Sequence, residues 1–448
     1  MSSVTAGAAV ADITPGLGVP MGGYGARKGV AEDVHDPLFV RALVLDDGST
    51  KLALAVCDLV GVTRPLVDAA RALIETEVGI PAAHVVIAAT HTHSGPGTVR
   101  IGVGDDGSHF HAMTARKIAG AVRLANERLT PVELKIGTAE VSTISQNRRD
   151  PDGPIQTVAT VLLAAPPGNG PATASLVNYA CHSTVLEADN LMFSADFPGA
   201  MCRVLEATLG GTAIYLQGAA GDINPVWMSH DFHEVERIGG ILGTTAARTA
   251  HELRPVGHGQ WAVNLNWSEE TPKETVDGTV VTAPRFAASQ TFLDLHRRPL
   301  PPQEEITAAI RELERRLSDL ADDDVEARRS LTPDLNRLRM EWLISGRVAR
   351  GRLAAIERVE LQVLRLADDV VIVTLPGEFF VETGRAIAEA VGLRHVLIAG
   401  YANDFISYVP AADQFVHAGY EIGCAQFEPD TDRRVIDALV TAVAGLDR

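Results

Sequence analysis

Short apolar runs alternate along this chain with longer stretches whose apolar residues recur every three or four positions. The runs are Leu38–Leu45, Leu52–Leu59, Val85–Thr90, Glu133–Gly137, Val158–Ala164, Ser175–Cys181, Ala213–Gln217, Glu360–Leu366, Val370–Leu375 and Val396–Ala399. Their length and bounding turn residues predict strands. Helical spacing covers Pro65–Glu77, Ala112–Arg128, Pro198–Leu209, Phe232–His251, Val381–Val391 and Asp432–Ala444. Strands alternating with helices of this length predict an α/β fold, a layered mixed sheet with flanking helices. No internal repeat and no low-complexity linker is visible, so residues 1–448 read as a single domain.

One segment departs from the pattern. Between Pro301 and Arg352 the chain becomes charged, and Ile306, Ile310, Leu313, Leu317 and Leu320 form a short heptad seam. Pro333 interrupts, and Leu335, Leu338, Trp342 and Leu343 resume a helical stripe. Residues 301–352 therefore predict an inserted helical hairpin. Packing against the chain's own sheet is the simple use of such a stripe. A lid, or a contact within a homo-oligomer, is the alternative.

Composition narrows the function. Hydrophobic residues make up 46 % of the 448 and charged residues 21 %, enough for a sizeable core. The formal net charge of −18 argues against nucleic-acid partners and anionic membrane surfaces. Four cysteines, Cys57, Cys181, Cys202 and Cys424, show no CxxC spacing and suggest neither a cysteine zinc cluster nor a disulfide framework. No basic leader followed by an apolar run opens the sequence, and no membrane-spanning run appears, so a cytoplasmic location is expected.

Candidate chemistry gathers at strand ends. Ala89-Thr-His91-Thr-His93-Ser-Gly-Pro-Gly97 follows an apolar strand and ends in a tight turn. Residues i and i+2 of an extended chain point to one side, so His91 and His93 are candidates for a zinc site or a general base. His182 ends the apolar Asn178-Tyr-Ala-Cys-His182 and reads either as a ligand or as a satisfied structural histidine. Gln217-Gly-Ala-Ala-Gly-Asp-Ile-Asn-Pro225 delivers Asp222 and Asn224 to a Gly-rich turn, where a plain Asx-turn is the alternative. Glu378, in Leu375-Pro-Gly-Glu378-Phe-Phe, needs a partner if buried, either a cation or an arginine. Asn147-Arg148-Arg149 offers a fixed cation or simply solvated arginines, and Tyr401-Ala-Asn403-Asp404…Tyr408-Val-Pro410 is dense in polar groups.

Taken in order, these motifs resemble the neutral ceramidase family, non-lysosomal zinc amidases that cleave the N-acyl bond of ceramide. The resemblance also includes Gly7-Ala-Ala…Asp12-Ile-Thr-Pro15, Gly22-Gly-Tyr-Gly25, His35-Asp-Pro37 with Arg41, and Ser194-Ala-Asp196-Phe-Pro-Gly199, so it spans nearly the whole chain. It implies one zinc ion per chain, held by His91, His182, Glu378 and Tyr408. It places His93 and Arg148 in the site, where they hold the substrate amide and assist proton transfer; in the mechanism expected here, Asp222 or Asn224 positions the substrate. The implied activity is hydrolysis of an amide by metal-activated water. The same site would serve an ester, lactone or cyclic amide, or the reverse condensation. A metal-binding scaffold without turnover is the alternative outside enzymes.

Two departures shape the expected substrate. Asn224 stands where ceramidases carry a serine, and it cannot act as a hydroxyl nucleophile. Longer family members also carry a C-terminal immunoglobulin-like domain, whereas this chain ends just after its last helical pattern. A shorter member is therefore expected, acting on a smaller, soluble small molecule with an amide or ester carbonyl.

Overall fold

A computed structural model describes residues 4–99, 108–168, 170–253, 278–280, 284–320 and 324–446. The architecture is α/β, with three mixed sheets and flanking helices. The first sheet contains β1 (Thr5–Asp12), β2 (Phe39–Asp46), β3 (Lys51–Cys57) and β4 (Val85–Ala89), in the order β4-β3-β2-β1. The second contains β5 (Glu133–Glu140), β6 (Val158–Ala165), β7 (Ala174–Tyr179) and β8 (Thr212–Gln217), in the order β8-β7-β6-β5. The third contains β9 (Pro284–His296), β10 (Ile356–Ala367), β11 (Val370–Thr374) and β12 (His395–Ala399), in the order β9-β10-β11-β12. Short edge segments extend the first two, Thr130–Pro131 beside β1 and Gly278–Val280 beside β5.

The three sheets share one topology. In each, three strands pair antiparallel in succession, and the fourth pairs parallel with the third. A parallel neighbour requires a crossover. The crossovers are the helices α1 (Arg64–Val78), α3 (Asp196–Leu209) and α7 (Val381–Val391). A second helix covers each sheet: α2 (Ser108–Glu127), α4 (Phe232–Glu252) and α8 (Thr431–Gly445). The unit thus occurs three times, although no repeat is visible in the sequence.

Packing explains the layering. Leu54 and Val86 of the first sheet, Leu162 and Leu216 of the second, and Ile372 and Leu397 of the third share one central cluster. The opposite face of each sheet packs on its own helix pair. Strands β4, β7, β8 and β11 are buried along their whole length, which requires continuous apolar runs rather than alternation.

The charged segment forms α5 (Gln303–Ser318) and α6 (Val325–Ala349), between β9 and β10. Residues 321–323 of it lie outside the described residues. Pro333, expected to interrupt, lies inside α6. The chain turns earlier, between Ser318 and Val325, where the Asp324 carboxylate accepts from the Ala327 amide at 3.1 Å. Pro333 removes one backbone donor without ending the helix. Among the described residues no helix is long and apolar enough to cross a membrane.

Candidate active site

The third and fourth strands of every sheet deliver their C-terminal ends to one place, the usual location of a site in such sheets. β4 leads into His91 and His93, β7 into His182, β8 into Asp222 and Asn224, β11 into Glu378, and β12 into Tyr401 and Tyr408. His91, His93 and His182 are buried, and their ring nitrogens lie within 4.8 Å of one another.

The histidines converge for a different reason than extended-chain alternation. His91 has φ 64°, so the chain turns at His91 itself. Four of the five non-glycine residues with positive φ among the described residues belong to these loops: His91, Tyr401, Asn403 and Ser407. Such conformations cost free energy and persist only where surrounding contacts fix them.

Hydrogen bonds set the tautomers. His91 Nδ1 donates to the Val60 carbonyl at 2.5 Å, and His182 Nδ1 donates to the Ala220 carbonyl at 2.6 Å. A carbonyl only accepts, so each neutral ring carries its proton on Nδ1 and leaves Nε2 bare. Burial above all, with Arg148 and His91 adding to it, pushes His182 down to about 4. His91 Nε2 lies 3.5 Å and His182 Nε2 3.2 Å from Oε2 of Glu378.

Three lone-pair atoms therefore face one another in a buried space. His182 Nε2 and Glu378 Oε2 have no hydrogen-bond partner despite their proximity. Without a proton between them such atoms repel. A divalent cation at their centre would satisfy all three, and the nitrogen and carboxylate donors suit zinc.

His93 and Arg148 stand beside this cluster. His93 Nε2 is 3.1 Å from His91 Nε2, and its Nδ1 is buried without a partner. Burial, reinforced by His91 and His182, pushes His93 well below its ordinary value, so it stays neutral. Arg148 donates through Nε to Glu421 at 2.7 Å, through Nη1 to Asn224 Oδ1 at 3.3 Å and through Nη2 to the Tyr408 hydroxyl at 3.0 Å. Burial opposes its charge, but Tyr408 and Glu421 more than offset this and keep it protonated. Glu378 and Tyr408 are brought together by a parallel bridge between Glu378–Phe379 and Tyr408–Val409.

A cleft of about 600 Å3 opens onto the cluster. His93, Arg148, Asn224, Glu378 and Tyr408 line it. Asp222 does not; it borders the polar cavity on the far side of Arg148. Its carboxylate accepts from the Val381 amide at 2.8 Å and from Asn147 Nδ2 at 2.7 Å, and its carbonyl accepts from the Arg148 amide at 2.8 Å. Burial, with Glu382 nearby, pushes Asp222 up to about 7. Asp222 thus braces the start of α7 and the backbone of Arg148, while Asn224 faces the cleft.

Sequence reasoning singled out no role for Tyr24, Trp227, Met340 or Tyr420, which also line the cleft. Tyr24 meets the His93 ring edge-on at 4.8 Å. Its only sequence signal was the Gly22-Gly-Tyr-Gly25 motif. Met340, on α6, also borders an apolar cavity of about 810 Å3 lined by Ile13, Val19, Met21 and Phe110.

Residues 5–152 match the family model described as neutral/alkaline non-lysosomal ceramidase, N-terminal. The neutral ceramidase of Pseudomonas aeruginosa is 24 % identical over 484 aligned residues, covering 94 % of this chain and 69 % of that protein. The crystal structure of that organism's neutral ceramidase superposes with a TM-score of 0.71 at 21 % identity, covering 100 % of this chain and 75 % of the other. A ceramidase complexed with C2 gives 0.72 at 20 %, covering 100 % and 76 %. The chain is similar in sequence to the neutral ceramidases and has their fold, a likeness that supports a hydrolase acting on an amide bond.

Proposed function

We propose, for a chain that shares the sequence motifs and the fold of neutral ceramidases, that it is a zinc-dependent amidohydrolase cleaving N-acyl amides. The observation that carries this reading is the meeting of His91 Nε2 and His182 Nε2 with Oε2 of Glu378, the last two of these atoms buried without a hydrogen-bond partner. His91, His182 and Glu378 would hold one zinc ion, with the Tyr408 oxygen as fourth ligand. When bound, zinc supplies the Lewis acidity that activates water and polarises the scissile carbonyl.

The chain's own groups do the rest. Arg148 places a fixed positive charge at the cleft wall, suited to the negative charge that develops on the carbonyl oxygen. It is immobilised by Glu421, Asn224 and Tyr408, so little reorganisation is needed during reaction. Neutral His93 can accept a proton from the attacking water and return it to the leaving nitrogen. Asn224 spends its oxygen on Arg148, which leaves its amide nitrogen to donate to the substrate. Asp222 keeps the Arg148 backbone in register.

The cleft wall carries His93, Arg148 and Asn224, and Met340 borders both the cleft and the adjoining cavity. Asn224 in place of the family serine favours a smaller, soluble N-acyl compound. The 810 Å3 cavity has room for a longer acyl arm, and each buried methylene would contribute about 0.8 kcal/mol of binding.

The test combines metal content with turnover. Protein purified without added metal should contain one zinc per chain and hydrolyse members of an N-acyl amine panel graded in chain length. The His91→Ala, His182→Ala double variant should lose both. Full zinc occupancy in that variant, or a zinc-loaded parent inert on every amide, would sink the reading. Preference for a long-chain ceramide over short amides would overturn its substrate part.

A further inference from the structure

A ring anchored at one nitrogen can still swing about the anchoring bond. Val60 holds His91 at Nδ1, and such a swing would carry Nε2 away from Glu378 and His182. A second contact removes this freedom. The Tyr401 ring lies flat on the His91 ring, with centroids 4.0 Å apart and planes inclined by 26°. We infer that Tyr401 is a positioning residue that fixes the plane of His91 for metal binding. This rests on the zinc reading above.

The loop that carries Tyr401 is built to hold it there. Tyr401 has φ 54° and Asn403 φ 64°, conformations that need support. The support comes from β4, the strand that delivers His91. The Ala89 amide donates to the Tyr401 carbonyl at 3.2 Å, and the Asn403 amide to the Ile87 carbonyl at 2.8 Å. The Asn403 side chain accepts from the Ile87 amide at 3.0 Å, and Ala88 bridges to Ala402. Loop and strand thus move as one piece. Asn403 Nδ2 continues the brace to Gln362 and to buried Glu360, whose charge faces Arg64 and Arg71.

The ring rather than the hydroxyl does this. Tyr401 is fully buried and its hydroxyl has no hydrogen-bond partner. Phenylalanine would keep the stack and remove an unsatisfied polar atom, whereas methionine would keep much of the volume and lose the flat face.

The experiment measures zinc affinity by competition with a chromophoric chelator, in the parent, Tyr401→Phe and Tyr401→Met. Co2+-substituted protein gives a second readout through its visible absorption bands. Tyr401→Phe should retain zinc affinity within about threefold and keep the cobalt spectrum. Tyr401→Met should lose about tenfold or more, the range seen when groups that orient ligands are removed, and its cobalt bands should shift. The metal-free melting temperature of Tyr401→Phe should match or exceed that of the parent. A methionine variant that binds zinc like the parent overturns the inference, and so does a phenylalanine variant that weakens binding tenfold. Should Tyr401→Met not fold, the phenylalanine arm still decides between ring and hydroxyl. Failure of the parent itself to bind zinc would instead count against the metal reading.

Discussion

Replacing Gly23 by alanine should disable the site while leaving the fold in place. Gly23 has φ 95°, and a Cβ there would lie 2.5 Å from Cγ, 2.6 Å from Cβ and 2.7 Å from Cα of His93. Carbon atoms rest at about 3.5–4.0 Å, so the two residues must separate by about 1 Å. His93 has little room to yield, because Tyr24 meets its ring at 4.8 Å on one contact and His91 at 4.7 Å on another. Misplacing a catalytic group by about 1 Å can cost about 100-fold in rate, or about 2.7 kcal/mol. The left-handed backbone adds about 1–2 kcal/mol of destabilisation for a residue with a Cβ. Gly18 separates the two effects: it has φ 84°, and nothing lies within 4 Å of its would-be Cβ. Gly18→Ala should show the backbone cost alone, and Gly23→Ala that cost plus the cost of the clash. Only Gly23→Ala should lose about 100-fold in kcat/KM on an N-acyl substrate at saturating zinc. A Gly23→Ala enzyme within threefold of Gly18→Ala would refute the placement of His93.

Other consequences are as specific. His93→Ala and Arg148→Ala should each lower kcat/KM at least about tenfold, about 1.4 kcal/mol, with zinc content near that of the parent, and unchanged turnover in both would remove them from the reaction. Arg148→Lys should not restore activity, because one ammonium cannot reach Glu421, Asn224 and Tyr408 together. Asp58 is buried after β3, and burial pushes it up to about 6, against the pull of Arg41, from an unfolded value near 3.8. The folded state therefore holds the proton more tightly, so this contribution to stability is complete below about pH 4 and is lost as pH rises through 6. Urea unfolding of Asp58→Asn should lack that decline, a difference on the order of 2–3 kcal/mol between pH 4 and 7, and parallel pH profiles would contradict the assignment.

The elements legible in the sequence are those buried on both faces. β4, β7, β8 and β11 read as apolar runs because no residue in them meets solvent. β1 was missed because it is rich in alanine and glycine, and α2 imposes that composition. A Cβ on Gly7 would come within 2.0 Å of the Ala125 carbonyl oxygen. β9 was missed because it is a partly exposed edge strand carrying Arg285, Ser289 and Gln290. The threefold topology left no trace because it resides in pairing order, which different side chains can satisfy equally well. At the site, histidines and a glutamate at strand ends were legible one by one. Their company was legible only in part: Tyr24 stands in the Gly22-Gly-Tyr-Gly25 motif and Tyr401 in the polar run before Tyr408, but neither pattern points at the histidines, and Met340 reaches the cleft from α6 with no local signal.

His91, His182 and Glu378 are proposed to meet on a metal. Diffraction from zinc-grown crystals, with data collected on both sides of the zinc absorption edge, tests this proposal most directly. One strong anomalous peak per chain is expected at about 2.0–2.2 Å from Nε2 of His91, Nε2 of His182 and a Glu378 carboxylate oxygen, with the Tyr408 oxygen completing the site. A peak elsewhere, or zinc-saturated crystals with no anomalous density between these three side chains, would contradict it.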